Sequence, residues 1–272
     1  MIPNILAIAG SDPSGGAGIQ ADIKAISANG GYAMAALTGL TAQNTCGVMR
    51  VQPVDPGMVT AQIAAIRDDI RIDAVKIGML GDASVIVAVV AALEGLDAPI
   101  VLDPVMVAKG GDRLLEEEAV GALREKLLPR ATLLTPNLPE AGDLLGESPA
   151  RDIEAMRSQG HALRGFGPAA ILMKGGHLDG EDAIDLLLTE TGEMVLSAPR
   201  TDTRNTHGTG CTLSSALATE LGHGRELPEA AERAKAYVSA AIAAASALSV
   251  GSGHGPTHHF HALWRDDHGG PR

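Results

Sequence analysis

The chain has 272 residues, of which 45% are hydrophobic but only 2% aromatic, so a core of α/β-domain size must be built from Ala, Val, Ile and Leu. A formal charge of −12 argues against nucleic acid or an anionic membrane as a main partner. Cys46 and Cys211 are the two cysteines, too few for a disulfide framework, and they read as free thiols in a reducing compartment.

Short apolar runs alternate with helical spacing. NILAIA (4–9) predicts a buried strand, followed by a Gly-rich turn and a helix around 16–29; AMAALTGLTAQN (33–44) is a second strand region. A helix over 59–70 precedes the strand DAVKIG (73–78), a helix over 83–95 the strand PIVLDPV (99–105), and a helix over 116–128 the strand ATLLTPN (131–137). Two further helical stretches lead to strands AAILMKGG (169–176), AIDLLLT (183–189) and EMVLSA (193–198), the last two joined as a hairpin through a Thr-Gly turn. Ala-rich helices over 210–222 and 228–248 follow. This alternation predicts a three-layer α-β-α fold with a mostly parallel sheet, as one domain over 1–264, and a disordered tail over 265–272. The opening MIPNILAIAGSD lacks the basic start of a signal peptide and no apolar run reaches membrane-spanning length, so the expected location is cytoplasmic.

In a sheet of this kind ligands bind beyond the carboxyl ends of the strands, where most of the motifs fall. Gly16-Ala17-Gly18-Ile19-Gln20-Ala21 fits a loose dinucleotide fingerprint, but ALTGLTA (36–42) lacks the ribose-binding acid and the glycines start too far past the strand. Asp22 is then an exposed first-turn acid or a group aimed at a ligand. Gln43 ends a strand, as a solvated strand end or as a carboxamide fitted to an aminopyrimidine-like edge, and Met79 ends another, as a core residue or as a thioether packed on a flat ring. Asp103 ends a strand as a turn cap or a magnesium ligand, and Lys109 follows in a glycine-containing loop. Asn137 and Glu140 have the spacing of a capping box, without excluding a role near metal-bound water. Lys174 ends a strand before two glycines, a usual place for a phosphate contact.

Residues 207–211, His-Gly-Thr-Gly-Cys, lead into a helical pattern, and a Gly-rich turn feeding a helix N-terminus makes an anion site. Cys211 at that position is expected to have a pKa below the free value of about 8.5, and hence some thiolate for use as nucleophile or base. The HHFH run at 258–261 lacks zinc-site spacing and reads as structural.

Taken together, AGSDPSGGAGIQAD, AQNT, KIGML, LTPNLPEA, LMKGGH, NTHGTGCTLSSA and GPTHHF resemble the hydroxymethylpyrimidine and phosphomethylpyrimidine kinases of thiamine biosynthesis, within the ribokinase-like superfamily. The resemblance spans nearly the whole chain. It implies ATP- and Mg2+-dependent phosphorylation of 4-amino-5-hydroxymethyl-2-methylpyrimidine and then of its monophosphate, in a homodimeric enzyme. It further implies that Gln43 pairs with the aminopyrimidine edge, with Gly10, Asp22 and Met79 completing the pocket. Gly208, Thr209, Gly210 and Cys211 would form the anion hole, with Cys211 where most sugar kinases of the superfamily carry an aspartate base. Asn137 and Glu140, with Asp103, would organise magnesium; Lys174 and Thr206 would touch ATP; Lys109 would assist a second anionic substrate. Pyridoxal kinase is the nearest rival reading, since relatives phosphorylate the vitamin B6 hydroxymethyl group. A non-catalytic pyrimidine-binding regulator would be expected to lack the anion-hole glycines or Asn-x-x-Glu, and both are present.

Overall fold

The computed structural model describes residues 1–106 and 114–264. Lys109 and the tail 265–272 lie outside the described residues. Among the described residues, ten strands and eight α-helices follow one another in the order β1 (Asn4–Ala9), α1 (Gly18–Ala28), β2 (Tyr32–Leu37), β3 (Gly39–Asn44), β4 (Gly47–Pro53), α2 (Pro56–Arg67), β5 (Ala74–Ile77), α3 (Ala83–Ala92) and β6 (Ile100–Leu102). They continue with α4 (Glu117–Ala122), β7 (Leu133–Leu134), α5 (Leu138–Leu145), α6 (Ile153–Arg164), β8 (Ala170–Lys174), β9 (Asp182–Leu188), β10 (Glu193–Pro199), α7 (Thr209–Gly222) and α8 (Leu227–Ala243).

Eight strands form one sheet in the order β10-β9-β8-β7-β6-β5-β1-β2. The six from β8 to β2 run parallel, and the β9–β10 hairpin closes the other edge antiparallel. Strands buried on both faces read as unbroken apolar runs, which is why they are visible in the sequence. The two faces differ in bulk. Leu6, Ile8, Ile77, Leu102, Leu134 and Met173 pack under α2 to α6, whereas Ala7, Ala9, Ala74, Val101 and Ala170 face α1, α7 and α8. Small side chains on the second face let α7 lie close: a Cβ added at Gly222 would sit 2.5 Å from Ile5 Cδ1 and 3.6 Å from Ala74 Cβ.

One expected strand region proves to be two strands. The span 33–44 splits at Thr38, and β3 leaves the sheet to pair with β4 as a separate two-stranded ribbon. GVMRVQP gave no apolar alternation to mark β4, because almost all of it is solvent-exposed. The 116–128 helix breaks after Ala122 into a π-helical turn over Leu123–Leu127. Local chemistry sets the other helix starts: Asp55, Asp82 and Asp152 each accept from backbone N–H groups one turn on, at 2.8 to 3.2 Å.

The small-residue face makes a direct prediction. Ala74→Leu should destabilise the protein by about 1–3 kcal/mol through overpacking beneath α7, read as a lower urea midpoint with unchanged slope. An unchanged midpoint would mean the layer has slack.

Candidate active site

A cleft of about 790 Å³ opens at the carboxyl edge of the parallel strands, between the sheet, the N-terminus of α7 and the β3–β4 ribbon. At its centre is the turn preceding α7. Gly208 is the N-cap residue, with φ of 73° and no side-chain cap, so the first helical N–H groups are not covered by a side chain. Glycine is required here twice over: the backbone is left-handed, and a Cβ would stand 1.8 Å from the carbonyl oxygen of Gly16. Gly208, Thr209, Gly210 and Cys211 all line the cleft, as the anion-hole reading expects.

The electrostatics of Cys211 overturn one expectation. Burial pushes its thiol up to about 11, although the charge on Lys76 and the Gly18 N–H draw it the other way. Desolvation of the thiolate outweighs the helix terminus, so the group is a thiol at neutral pH in the ligand-free site.

Behind the turn lies a charge cluster. Lys174 Nζ is 2.7 Å from Asp103 Oδ1 and 3.8 Å from Glu140 Oε2. Burial opposes the Lys174 charge, but these two carboxylates outweigh it and raise its pKa. Glu140 is pushed up to about 7 by burial, with Lys174 acting against the shift. Asn137 and Glu140 form the expected capping box, Asn137 Oδ1 accepting from Glu140 N–H and Glu140 Oε2 from Asn137 N–H, both at 2.8 Å. Asp103, Asn137, Glu140 and Lys174 all reach the cleft wall. Among the described residues no group of three or more His, Cys, Asp or Glu is gathered for a metal. Magnesium does not need one, since one or two carboxylates hold it while water and phosphate oxygens complete the shell, and Asp103 and Glu140 fit that demand.

At the opposite end Gly10, Gln43 and Met79 share the cleft wall. The ribbon is tied over it by Ser11, whose hydroxyl accepts from Thr41 N–H (3.0 Å) and whose carbonyl accepts from the Thr41 hydroxyl (2.9 Å). Asp22 is not among these wall residues. It is fully buried, receives Lys76 Nζ on both oxygens (2.8 and 2.9 Å) and accepts from the Ser215 hydroxyl (2.8 Å). Lys76 lines the cleft in its place, although fully buried, and Asp22 holds its ammonium from behind. Lys76 escaped the sequence reading, yet a lysine inside the apolar run DAVKIG was the available signal, because a buried ammonium demands a partner.

Thr206 lies on the wall, and its carbonyl accepts from the Thr209 hydroxyl at 2.8 Å. The far end, against β9, β10 and α8, is lined by residues the sequence did not suggest: Arg200, Thr203, Val238, Ile242 and Lys235, the last bonded to Asp185 at 2.7 Å. The glycine-rich loop 12–18 folds around its own Asp12 carboxylate, so it is no dinucleotide site. His207 points at Asp12. The histidine run is structural: His259 Nε2 meets the Thr212 hydroxyl at 3.1 Å, and burial holds its imidazole down to about 3.

Residues 12–258 match the sequence model of the phosphomethylpyrimidine kinase family. The chain is 52% identical over 262 residues to a hydroxymethylpyrimidine/phosphomethylpyrimidine kinase of Salmonella typhimurium, covering 96% of this chain and 98% of that protein. The corresponding enzyme of Escherichia coli is 50% identical over the same shares. Among solved structures, the pyridoxal kinase of Bacillus subtilis in an ADP complex superposes with a TM-score of 0.89 at 37% identity, covering 97% of this chain and 100% of that one. A phosphomethylpyrimidine kinase of Clostridium difficile gives 0.78 at 41% identity, over 89% and 100%.

The two thiols should differ in reactivity. Iodoacetamide at neutral pH is expected to label exposed Cys46 well before Cys211, with Cys211 labelling accelerating only above about pH 9, as mapped by peptide mass. Faster labelling of Cys211 at pH 7 would restore a resident thiolate.

Proposed function

The chain belongs to the phosphomethylpyrimidine kinase family, and on that premise we propose that it phosphorylates the hydroxymethyl group of 4-amino-5-hydroxymethyl-2-methylpyrimidine and then the resulting monophosphate, supplying the pyrimidine diphosphate for thiamine biosynthesis. ATP is the phosphoryl donor and Mg2+ its counter-ion. The observation that carries the reading is the meeting, in one cleft, of the open N-terminus of α7 with the Lys174–Asp103–Glu140 cluster and with Gln43 and Met79 across from them.

Each residue then has a role in positioning or charge stabilisation, which dominates phosphoryl transfer. Gln43 reads the aminopyrimidine edge, Met79 packs on the ring and Gly10 keeps the wall thin, since a Cβ there would stand 2.3 Å from Met79 Cε. The N–H groups of the Gly208–Cys211 turn receive the transferred group as its equatorial oxygens gather charge. Lys174 and Thr206 meet the triphosphate, and the apolar Val238 and Ile242 offer a seat for the base. Asp103 and Glu140, the latter fixed by Asn137, would hold magnesium, which would supply charge neutralisation at the phosphates. Lys109 attends the phosphate of the monophosphate substrate.

The acceptor oxygen attacks the γ-phosphorus as the bond to the leaving ADP oxygen breaks. In the first step that oxygen is an alcohol and sheds a proton; in the second it is already an ionised phosphate oxygen. Cys211, on the cleft wall at the start of α7, takes the proton in this reading. Because its pKa is raised, the active thiolate is a minor form whose share grows with pH. The first transfer should therefore climb between about pH 7 and pH 9 while the second stays nearly flat. Cys211→Ala should abolish that climb and slow the first transfer by roughly a hundred-fold, the second by less than about ten-fold. Equal losses in both steps would leave Cys211 as a packing element of the hole.

The assay that tests the whole reading offers purified protein MgATP with the hydroxymethylpyrimidine, its monophosphate or pyridoxal. Diphosphate formation from the pyrimidine is the expected result. Turnover of pyridoxal alone would favour the second reading, which the likeness to the Bacillus subtilis pyridoxal kinase brings forward.

We also propose a cytoplasmic homodimer. No helix among the described residues is long and apolar enough to cross a membrane. The ribbon holds Met49 and Val51 at 68% and 41% exposure, apolar side chains that a second copy would cover. Light scattering should give twice the 27.8 kDa chain mass, falling to the single mass for Met49→Lys combined with Val51→Lys. A dimer that survives both changes uses another face.

A further inference from the structure

The loop from Asp12 to Gly18 has the outline of an anion-binding nest, but Asp12 itself fills it. Its Oδ2 accepts from the N–H groups of Gly16 (3.1 Å) and Ala17 (2.8 Å), its Oδ1 from the N–H (2.9 Å) and hydroxyl (2.7 Å) of Ser14. The same Oδ2 lies 2.9 Å from Nε2 of His207, and the two residues are only 1% and 6% exposed. His207 directly precedes Gly208, the start of the phosphoryl-receiving turn.

The two loops also interlock where they lack side chains. A Cβ on Gly16 would stand 2.3 Å from His207 Cδ2, and one on Gly208 1.8 Å from Gly16 O. The first loop continues from Gly10 and Ser11, which line the acceptor end and carry the ribbon through Thr41. From behind, His207 N–H donates to Gly255 O at 3.0 Å, so the histidine cannot drift with the turn. One wall of the cleft thus carries the acceptor seat, the other the hole, and the Asp12–His207 contact spans the join. In-line transfer depends on that separation, since a shift of about 1 Å can cost two orders of magnitude in rate.

We propose that Asp12 and His207 are positioning residues for the transfer. Both also reach the cleft wall, but with their polar atoms turned on one another they set the spacing between the acceptor seat and the phosphoryl-receiving turn, acting through Ser11 and Gly208. This rests on the kinase reading above.

His207→Leu, His207→Gln and Asp12→Asn would be compared with wild type for kcat, for KM of ATP and of the hydroxymethylpyrimidine, and for ADP formed per phosphorylated pyrimidine. Circular dichroism would establish folding. His207→Leu should lose roughly 10- to 100-fold in kcat with both KM values within about three-fold, and should form more ADP than product as water intercepts the misaligned group. His207→Gln, whose amide can still donate to Asp12, should recover most of kcat and the one-to-one ratio. A folded His207→Leu with wild-type kcat and ratio overturns the proposal, as does a loss confined to KM. Should His207→Leu not fold, the near-isosteric Asp12→Asn decides by the same readings. A wild type inactive on the pyrimidine would instead overturn the kinase reading.

Discussion

The structure depends on how closely α7 approaches the sheet. Ala7, Ala9 and Ala74 on the strands, and Gly222 and Ala218 on the helix, leave almost no room between the layers. A helix seated this deep brings its N-terminus down to the level of the strand ends, where Gly208 can touch the first loop. Larger side chains would lift the helix and open that contact. The scarcity of aromatic residues, which in a bare composition looks like a weakness, is therefore a condition of the site. The same close packing keeps Leu213, Ala216 and Leu217 dry and fixes the helix against rotation.

Around that helix an acidic protein keeps one buried ammonium group, Lys76, and a partly buried one, Lys174. Lys76 and Lys174 each hold an aspartate, Asp22 and Asp103, so neither charge is isolated in the interior. Such pairs contribute little net stability, because desolvation offsets most of the attraction, but they keep cationic groups at the cleft in a chain whose overall charge would repel a nucleotide. The arrangement also explains the thiol. Cys211 sits above Lys76 yet close enough to Asp22 and Asp103 that their charges partly cancel the help, and burial decides the outcome.

Much of this was legible in the sequence because strand ends are legible. Each of Gly10, Asp103, Asn137 and Lys174 follows an apolar run, and the topology of a parallel sheet brings such positions to one edge whatever the loops do. The Asn137–Glu140 capping box could be read from spacing alone, being a local motif. What could not be read was long-range pairing. Asp22 could be read as an exposed acid or as a group aimed at a ligand, but not as a buried partner of Lys76 and Ser215, which are 54 and 193 residues away. The Cys211 thiol was misjudged for the same reason: the helix terminus is visible in the sequence, and the burial that outweighs it is not. The ribbon strand β4 was missed because, lying outside the sheet and largely exposed, it carries no core-facing stripe.

The contact between Asp12 and His207 spans 195 residues, and Thr212 on α7 is met by His259, a further 47 on. Residues in direct contact around the cleft are thus synthesised far apart in time. During synthesis the strands β1, β2 and β5 to β7 can begin to pair while the groove at their ends still lacks its second wall. A nascent chain shorter than about 260 residues presents a half-built cleft, able to expose the apolar underside that α7 and α8 later cover. Completion of the cleft therefore waits for α7 and for the segment around His259.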